Sequence, residues 1–447
     1  MNYNLPINHY NTYNRSLSSL NCLTTKRRVL TRRGVVWLGQ TCNLRCHFCY
    51  FLDRINAKDH PEHPFMSLEK AKTICSTLVE VYGNRAVDIQ GGEPMLHQEI
   101  YALVEHCRGI GLYPTLITNA LMLDKLDRCI KLKDSGIRDL LISVHGLGEV
   151  YDNIVGVPGA SARQMEALKH LQEVGIPFRF NCVLSKDALL QLNNISRLAI
   201  SSGARVVNFI AFNPFEDQQK AGKRSLNNVP RYAEIAPFLN EALDILSDSG
   251  VEANVRYLPI CIVEKRHRKS MYNFQQLPYD LHEWDYASWS WTGMPRQRMR
   301  DGDLDPPVTL EEATFQPVEY SGVFRSMVNC ARQAIEAFPQ LRKPAARVNR
   351  MISGAVHGNV QAKDMDQLYI ENAKLRAFTH CKYTYSELCG SKCSARNICD
   401  GFHGDYAALF GVGEAAPITD EPLISDPKHF IGAQDKLVEQ EDYAWAR

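Results

Sequence analysis

Three cysteines lie within eight residues, in the stretch CNLRCHFCY (42–50). Three residues separate Cys42 from Cys46, and two separate Cys46 from Cys49. A structural zinc ion would need a fourth ligand, and His47, between two of the thiols, is badly placed to supply it. An iron–sulfur cubane on three thiolates leaves one iron open for another ligand, so the lack of a nearby fourth cysteine would itself be functional.

The same spacing occurs in a known family. Cys42-x3-Cys46-x2-Cys49 directly follows a first apolar stretch, and an aromatic residue, Phe48, precedes the third cysteine. In these features residues 34–257 resemble the radical S-adenosylmethionine (SAM) enzymes. The resemblance implies a 4Fe–4S cluster whose open iron binds the amino and carboxylate groups of SAM. It also implies reductive cleavage of SAM to methionine and a 5′-deoxyadenosyl radical, which abstracts a hydrogen atom from a substrate.

A glycine-rich turn, GGEP (91–94), follows the second apolar stretch. The family has a turn there that contacts the SAM amino group. Gly91 and Gly92 permit close backbone approach, and the carboxylate of Glu93 could meet an ammonium group. These three residues are therefore predicted to bind the cofactor.

Two polar residues follow the third and fourth apolar stretches. They are Asn119 in TNA (118–120) and Ser143 in SVHG (143–146). Both are candidates for contact with a ribose, with simple loop capping as the alternative.

A second group of thiols lies near the C-terminus, at Cys381, Cys389, Cys393 and Cys399. Four thiols within 19 residues suit a loop around a metal, and a zinc ribbon is the main alternative. The ending resembles the SPASM or twitch module of many radical SAM enzymes. It departs from that pattern in one gap of three residues rather than two, and in having His403 at the final position. The resemblance and these departures imply one auxiliary 4Fe–4S cluster.

Cys261 has three interpretations: a replacement ligand for the auxiliary cluster, a hydrogen-atom donor near the substrate, or a small buried residue. Whether Cys261 or His403 completes the auxiliary set stays open at this point. The remaining thiols in periodic stretches are predicted to be core residues: Cys75, Cys107, Cys129, Cys182 and Cys330.

The framework for these residues is an alternation of short apolar and longer amphipathic stretches. Predicted strands cover 34–39, 86–90, 113–119, 138–146, 177–185 and 204–212, and predicted helices cover 67–83, 97–109, 122–134, 161–174, 187–202 and 231–249. Six strand–helix units predict an α/β fold with a parallel sheet. The resemblance implies a partial (β/α)6 barrel, with functional residues at the carboxyl ends of its strands.

Four segments are predicted along the chain: an N-terminal extension (1–33), the core (34–257), an aromatic-rich insertion or cap (258–378) and the auxiliary-cluster module with its tail (379–447). Residues 277–307 hold three of the five tryptophans and are expected to be irregular and to exclude water from the site. About 33 residues before the first strand are too few for a leader-peptide domain, and the charged ending DKLVEQEDYAWAR is expected to fray.

Composition excludes several classes of protein. With 45% apolar and 23% charged residues, the chain is globular, and a net charge of +1 argues against nucleic acid as a partner. No apolar run reaches the roughly 20 residues that span a bilayer, and the polar N-terminus lacks a signal sequence. The expected compartment is the cytoplasm, where the 14 cysteines would stay reduced.

The sequence thus predicts a radical SAM enzyme that oxidises, or forms a bond in, a small polar substrate, with one auxiliary cluster and an electron donor such as ferredoxin or flavodoxin. Alternatives are a peptide-modifying enzyme, a redox-neutral epimerase, and a zinc-binding or electron-transfer protein. The basic stretches KRHRK (265–269) and RQRMR (296–300) could meet a phosphate, or be solvated surface.

Overall fold

The computed structural model describes residues 22–25, 33–49, 63–80, 84–213, 224–279, 285–289, 338, 381–390 and 392–439. Most of them belong to a compact unit that comprises Met1–Pro307 and Arg376–Arg447. A second unit comprises Val308–Leu375, where only Phe338 is described. Among the described residues, no helix is both long and apolar enough to cross a membrane.

A sheet of eight parallel strands forms the centre of the described structure. Seven strands follow chain order across the sheet, and an eighth pairs with the first of them. Within the described residues the sheet stays open, with Glu252–Arg256 at one edge and Asp285–Trp289 at the other. The strands are β2 (Arg33–Trp37), β3 (Ala86–Gln90), β4 (Tyr113–Thr118), β5 (Asp139–Ser143), β6 (Phe178–Leu184), β7 (Val206–Ala211), β8 (Glu252–Arg256) and β9 (Asp285–Trp289).

Helices connect these strands and cover one face of the sheet. On β3, Val87 and Ile89 belong to the apolar core, while Asp88 between them points to the other face, as the two-residue period of a strand requires. The helices of this part are α1 (Leu68–Glu80), α2 (Ile100–Gly109), α3 (Leu126–Asp134), α4 (Gly148–Val155), α5 (Ala160–Val174), α6 (Lys186–Leu189), α7 (Leu192–Ser202) and α8 (Tyr232–Asp248).

The α/β prediction is confirmed, and each of the six predicted strands exists with ends shifted by a few residues. The sheet is larger than the predicted six strands, because β8 and β9 were missed. The expectation that 277–307 is irregular is wrong for Asp285–Trp289, which form β9. The rest of 277–307, apart from 277–279, lies outside the described residues.

The two ends of the chain also pair with each other. Cys22–Thr25 (β1) and Lys436–Glu439 (β10) form an antiparallel ladder. The expected fraying is therefore wrong for the first part of the tail. Lys436 is fully buried there, with Nζ bonded to Glu252 and, at 3.0 Å, to Oδ1 of Asn254.

The face of the sheet away from the helices carries a buried ionic network near the amino ends of the strands. Arg33 lies 2.5 Å from Asp88, and Nε of Arg179 lies 2.8 Å from Asp139. Thr115 bridges the two pairs through hydrogen bonds with Arg33 and Asp139. Burial alone would raise the pKa of Asp139, but Arg179 and Arg138 hold it well below its usual range. Buried side chains therefore fill this end of the sheet in the described structure. The predicted site residues lie at the other end, where the strands have their carboxyl ends.

Four of the five predicted core thiols are confirmed as buried, and the fifth, Cys330, lies outside the described residues. Sγ of Cys107 and Sγ of Cys75 are 3.6 Å apart between α2 and α1. Every cysteine whose side chain is described is a free thiol.

Candidate active site and thiol cavity

The first cysteine group lies on a loop that leaves the carboxyl end of β2. Cys42, Cys46 and Cys49 are each half-buried, and the loop turns through a bond from Cys49 N to Cys46 O of 3.0 Å. Among the described residues, no group of three or more His, Cys, Asp or Glu side chains is arranged to bind a single metal ion.

Helix α4 holds the outer side of this cysteine loop (residues 42–49). Arg45 N and His47 N donate to the carbonyls of Val155 and Ile154 at 2.8 and 3.1 Å, at the carboxyl end of the helix. The guanidinium of Arg45 turns back to the carbonyl of Cys42 at 3.0 Å. These bonds fix the loop backbone before any cluster binds.

The GGEP turn holds the inner side of the same loop. Gly92 N donates to Gly39 O at 2.8 Å, and Glu93 N donates to Thr41 O at 2.9 Å. A Cβ atom on Gly92 would lie 2.1 Å from Thr41 O, a contact that no side chain can make. The sequence predicted close backbone approach here, and the structure shows that the approaching backbone is the segment just before Cys42.

Glu93 is buried, with 1% of its surface exposed. Its carboxylate accepts hydrogen bonds from Met95 N at 3.0 Å, Thr118 Oγ1 at 2.6 Å and Asn119 N at 2.7 Å. Burial raises the pKa of Glu93, and these three donors oppose the rise. The described contacts of Glu93 are therefore internal, and its contact with a SAM ammonium group stays a prediction.

Asn119 and Ser143, the predicted ribose ligands, lie beside each other at the carboxyl ends of β4 and β5. Gln164 on α5 joins them, because its Nε2 donates to both backbone carbonyls at 2.9 Å. Nδ2 of Asn119 donates to Oδ1 of Asn43 in the cysteine loop at 2.8 Å. The structure thus brings Asn119 to the loop and Ser143 close to Asn119, while a contact with ribose stays a prediction.

An aromatic group surrounds Phe48. Its ring meets His145 edge-on with centroids 4.6 Å apart, and Phe212 at 6.1 Å. His145 accepts a hydrogen bond on Nδ1 from Val183 N at 3.2 Å. Burial, together with the smaller effect of His47, lowers the pKa of His145 to about 3, so its ring is neutral at ordinary pH.

The loop thiols themselves are strongly perturbed. Burial, and then the carboxylate of Glu93, raises the pKa of Cys42 to about 12. Burial also raises the pKa of Cys46, and the nearby Cys49 and Cys42 raise it further. The three sulfurs are therefore close enough to repel one another as thiolates. Such a set is stabilised when a cationic metal centre takes the place of the protons.

A second set of thiols lines one cavity at the C-terminal module, with roughly 350 Å³ of empty space that includes open solvent. Cys261 lies there with Cys389, Cys393 and Cys399. Burial raises the pKa of Cys261, and Cys389 and Cys393 raise it further. Gly401 N donates to Sγ of Cys399 at 3.4 Å, as amides do around cluster sulfurs.

Cys381 does not line this cavity. Its carbonyl accepts from Gly404 N at 3.1 Å, and Lys382 next to it has a left-handed backbone with φ of 51°. The four thiols that the structure brings together therefore differ by one member from the predicted set of Cys381, Cys389, Cys393 and Cys399.

His403, the other candidate for this set, has a capping role. Its Nδ1 accepts from Asp405 N at 3.2 Å at the start of a short helix, α9 (Gly404–Phe410). Its ring packs edge-on against Tyr383 at 5.2 Å.

Buried polar contacts join the C-terminal module to residues 274–275 and to the start of helix α8. Asp400, fully buried, accepts from Phe274 N at 2.7 Å and from Nε2 of Gln275 at 3.0 Å. At the start of α8, Tyr406 and Glu414 accept hydrogen bonds from the free backbone N–H groups of Tyr232 and Ala233, both at 2.8 Å. Cys399 and Cys261 are thereby brought from distant parts of the chain to one place.

The basic stretch KRHRK contributes Lys265 to this docking, since its Nζ lies 2.6 Å from Asp420. Arg266 and His267 pair instead with Asp244 of α8 at 2.7 and 2.9 Å. These pairs favour a structural role for the stretch over contact with a phosphate. The stretch RQRMR lies outside the described residues.

Sequence reasoning missed several residues that shape the site. Asn43 and Gln164 are ordinary polar residues of a loop and a helix, and Phe212 is simply the last residue of the predicted strand 204–212. Arg224 is buried between Phe48 and Asn213. No local pattern marks these positions, because key partners lie far away in the chain: 76 residues separate Asn43 from Asn119, and 176 separate Arg224 from Phe48.

Comparisons with known proteins agree with this site. Residues 38–187 match the family model for the Radical SAM superfamily and form a radical SAM domain. Members of this family hold a 4Fe–4S cluster and SAM. The match covers the cysteine loop, the GGEP turn, Asn119 and Ser143.

Among curated relatives, the AdoMet-dependent heme synthase of Oleidesulfovibrio alaskensis is 29% identical over 38% of this chain and 43% of its own. The PqqA peptide cyclase of Bradyrhizobium diazoefficiens is 30% identical over 36% of this chain and 42% of its own. The chain thus spans less than half the length of each. Among solved structures, Streptococcus suis SuiB bound to S-adenosylmethionine aligns at 21% identity with a TM-score of 0.43, over 56% of this chain and 52% of its own.

Proposed function

We propose that this chain uses Cys42, Cys46 and Cys49 to hold a SAM-binding 4Fe–4S cluster and that it oxidises, or forms a bond in, a small polar substrate. The observation that carries the proposal is the half-buried three-thiol loop, held between GGEP and the end of α4. When bound, the cluster would supply the electron that cleaves SAM and releases a hydrogen-abstracting 5′-deoxyadenosyl radical. The protein's part is to hold the loop, exclude water and orient the cofactor.

We also propose an auxiliary 4Fe–4S cluster held by Cys261, Cys389, Cys393 and Cys399. The support is their common cavity, which Cys381 does not line. Four protein thiolates leave no open iron for a substrate, so such a cluster is suited to accept an electron. A Cys261 thiolate used as a ligand is not free to return a hydrogen atom, which favours oxidation or bond formation over epimerisation.

A polar substrate is supported by the inner face of the sheet. Asn181, Asn208 and Asn254 are paired in register on three neighbouring strands, in line with Ser143 on β5. Among the described residues, Oδ1 of Asn181 is a buried acceptor with no hydrogen-bond partner, whereas Asn208 and Asn254 bond to each other. A ligand that carries a hydroxyl or amide donor would satisfy Asn181. Peptide modification is the second candidate, since a peptide cyclase is among the relatives.

The proposal places the enzyme in a reducing compartment, the cytoplasm, with a ferredoxin or flavodoxin as its electron donor. Free thiols such as Cys261 and Cys399 at the cavity require such a compartment before the cluster binds.

The experiment is anaerobic reconstitution with iron and sulfide, followed by assays for iron and for 5′-deoxyadenosine. We expect about eight irons per chain, as two cubanes, and SAM cleavage that requires reductant. Replacing Cys42 with alanine should remove about half of the iron and all SAM cleavage. A chain that binds zinc without a brown chromophore, or that holds both clusters and never cleaves SAM, would refute the proposal.

Matched serine variants test the auxiliary ligands. Cys261→Ser should lower the iron content by about four, while Cys381→Ser should leave it unchanged. The reverse result would restore the set predicted from the sequence. Once a substrate is known, a product that has lost two hydrogens supports oxidation. An isomer of the substrate that carries one deuterium from the solvent supports epimerisation.

A further inference from the structure

The guanidinium of Arg224 connects the cysteine loop with a distant part of the structure. One terminal nitrogen donates to the carbonyl of Phe48, between Cys46 and Cys49, at 2.5 Å. The other donates to the carbonyl of Asn213 at the end of β7. Arg224 is 5% exposed, and its guanidinium carbon lies 4.5 Å from the centre of the Phe212 ring.

From Asn213 the connection continues to the thiol cavity. Oδ1 of Asn213 accepts from the hydroxyl of Tyr232 at 2.7 Å. The ring of Tyr232 stacks on Phe402 with centroids 5.8 Å apart. Phe402 lines the cavity that holds Cys261, Cys389, Cys393 and Cys399. Each step of this path is a direct hydrogen bond or ring contact between buried groups.

A simple core role would need only an apolar side chain of similar volume at this position. Two directed bonds to two carbonyls from different segments require the planar, two-nitrogen geometry of arginine instead. One of those carbonyls, that of Phe48, belongs to the cysteine loop and lies between two of its three proposed cluster ligands. A shift of the auxiliary module would therefore move the backbone between Cys46 and Cys49.

We propose that Arg224 is a positioning residue that sets the cysteine loop and, through Asn213 and Tyr232, couples SAM binding at that loop to the state of the auxiliary thiol cavity. The inference rests on the proposed function, since it assumes SAM at the first site. Coupling between two binding sites is reciprocal, so filling either site alters the affinity of the other.

The first experiment uses the fully reconstituted chain and its Arg224→Met and Arg224→Lys variants. The readouts are the SAM dissociation constant and the change in the electron paramagnetic resonance spectrum of the reduced cluster when SAM is added. We expect SAM to bind about tenfold or more weakly to Arg224→Met, because a hydrogen bond from a charged group is lost. Arg224→Lys should recover only part of this, because an ammonium group cannot span both carbonyls.

Tyr232 and Tyr272 form a matched pair for the middle of the path. Both side chains are buried, and each hydroxyl donates a bond of 2.7 Å, to Oδ1 of Asn213 and to Oε1 of Gln434 respectively. Tyr232→Phe breaks the path, whereas Tyr272→Phe removes a similar bond elsewhere and leaves the path intact. We expect a weaker SAM affinity in the first variant and wild-type affinity in the second.

The decisive comparison adds Cys399→Ser, which empties the auxiliary site. It should change SAM affinity about threefold or more in the wild-type background, and not in the Tyr232→Phe background, since a broken path leaves nothing to couple. Equal SAM affinity in wild type and Arg224→Met, or equal effects of the two tyrosine variants, would overturn the inference. Failure of the wild-type chain to bind SAM would instead refute the proposed function.

Discussion

Nδ2 of Asn119 donates to Oδ1 of Asn43 at 2.8 Å, which ties the end of β4 to the residue that follows Cys42. Oδ1 of Asn119 accepts from Leu121 N at 3.0 Å, so the amide has a fixed orientation. Each polar atom still has capacity for one further bond, so a structural role and contact with a ligand are compatible.

Asn119→Asp should therefore disturb the cysteine loop. The substitution removes the donor and sets a carboxylate oxygen against Oδ1 of Asn43, which is repulsive. We expect SAM to bind about thirtyfold more weakly, since the lost bond and the new repulsion each cost about 1 kcal/mol. Titration of the reduced cluster with SAM measures this. Asn194→Asp on the exposed face of α7 is the control for the added charge, and wild-type affinity in Asn119→Asp would contradict the assignment.

Glu93→Gln tests whether the buried carboxylate is structural. A glutamine offers one oxygen where Met95 N, Thr118 Oγ1 and Asn119 N all donate. We expect the free energy of unfolding without SAM to fall by about 1–3 kcal/mol, because a buried donor loses its acceptor. Denaturant unfolding measures this, with the exposed Glu149→Gln as control. Unchanged stability with weakened SAM binding would show that the ligand, and not the chain, is the main partner of Glu93.

Gly92→Ala and Gly109→Ala form a contrasting pair. The new Cβ at position 92 would overlap the backbone of Thr41, while the one at position 109, at the end of α2, would meet nothing within 4 Å. We expect Gly92→Ala to lower the free energy of unfolding by about 3 kcal/mol or more, because backbone cannot move aside. Gly109→Ala should raise it by up to about 1 kcal/mol. Similar stability for the two variants would contradict the packing described for the GGEP turn.

His145 should make the protein lose stability in mild acid. The unfolded chain binds a proton on this residue near pH 6.5, whereas burial keeps the folded ring neutral until about pH 3. The unfolded state therefore holds more protons in this window, and stability falls by up to about 1.4 kcal/mol per pH unit as the pH drops below 6.5. Anaerobic unfolding at pH 7, 6 and 5.5 measures the slope, which should be smaller in His145→Gln. The same slope in both proteins would contradict a neutral buried His145.

Much of the sheet could be predicted because its strands are buried and apolar on the helix-facing side. β8, EANVR, was missed for the opposite reason. Its inner face consists of Glu252, Asn254 and Arg256, and only Ala253 and Val255 face the helices. Such a segment looks like a polar loop until Lys436, from the other end of the chain, is placed beside its glutamate.

The amino-acid sequence was enough to predict the cysteine loop, the GGEP turn and the alternation that places Asn119 and Ser143 at the carboxyl ends of neighbouring strands. Those features are local, since spacing and periodicity act between residues close in the chain. Folding of the whole chain was needed to show that Cys261, and not Cys381, shares a cavity with Cys389, Cys393 and Cys399. The same is true of the bonds from Arg224 to Phe48 and Asn213. Such contacts depend on how distant segments pack. The local sequence around a cysteine or an arginine does not identify the residue that folding brings into contact with it.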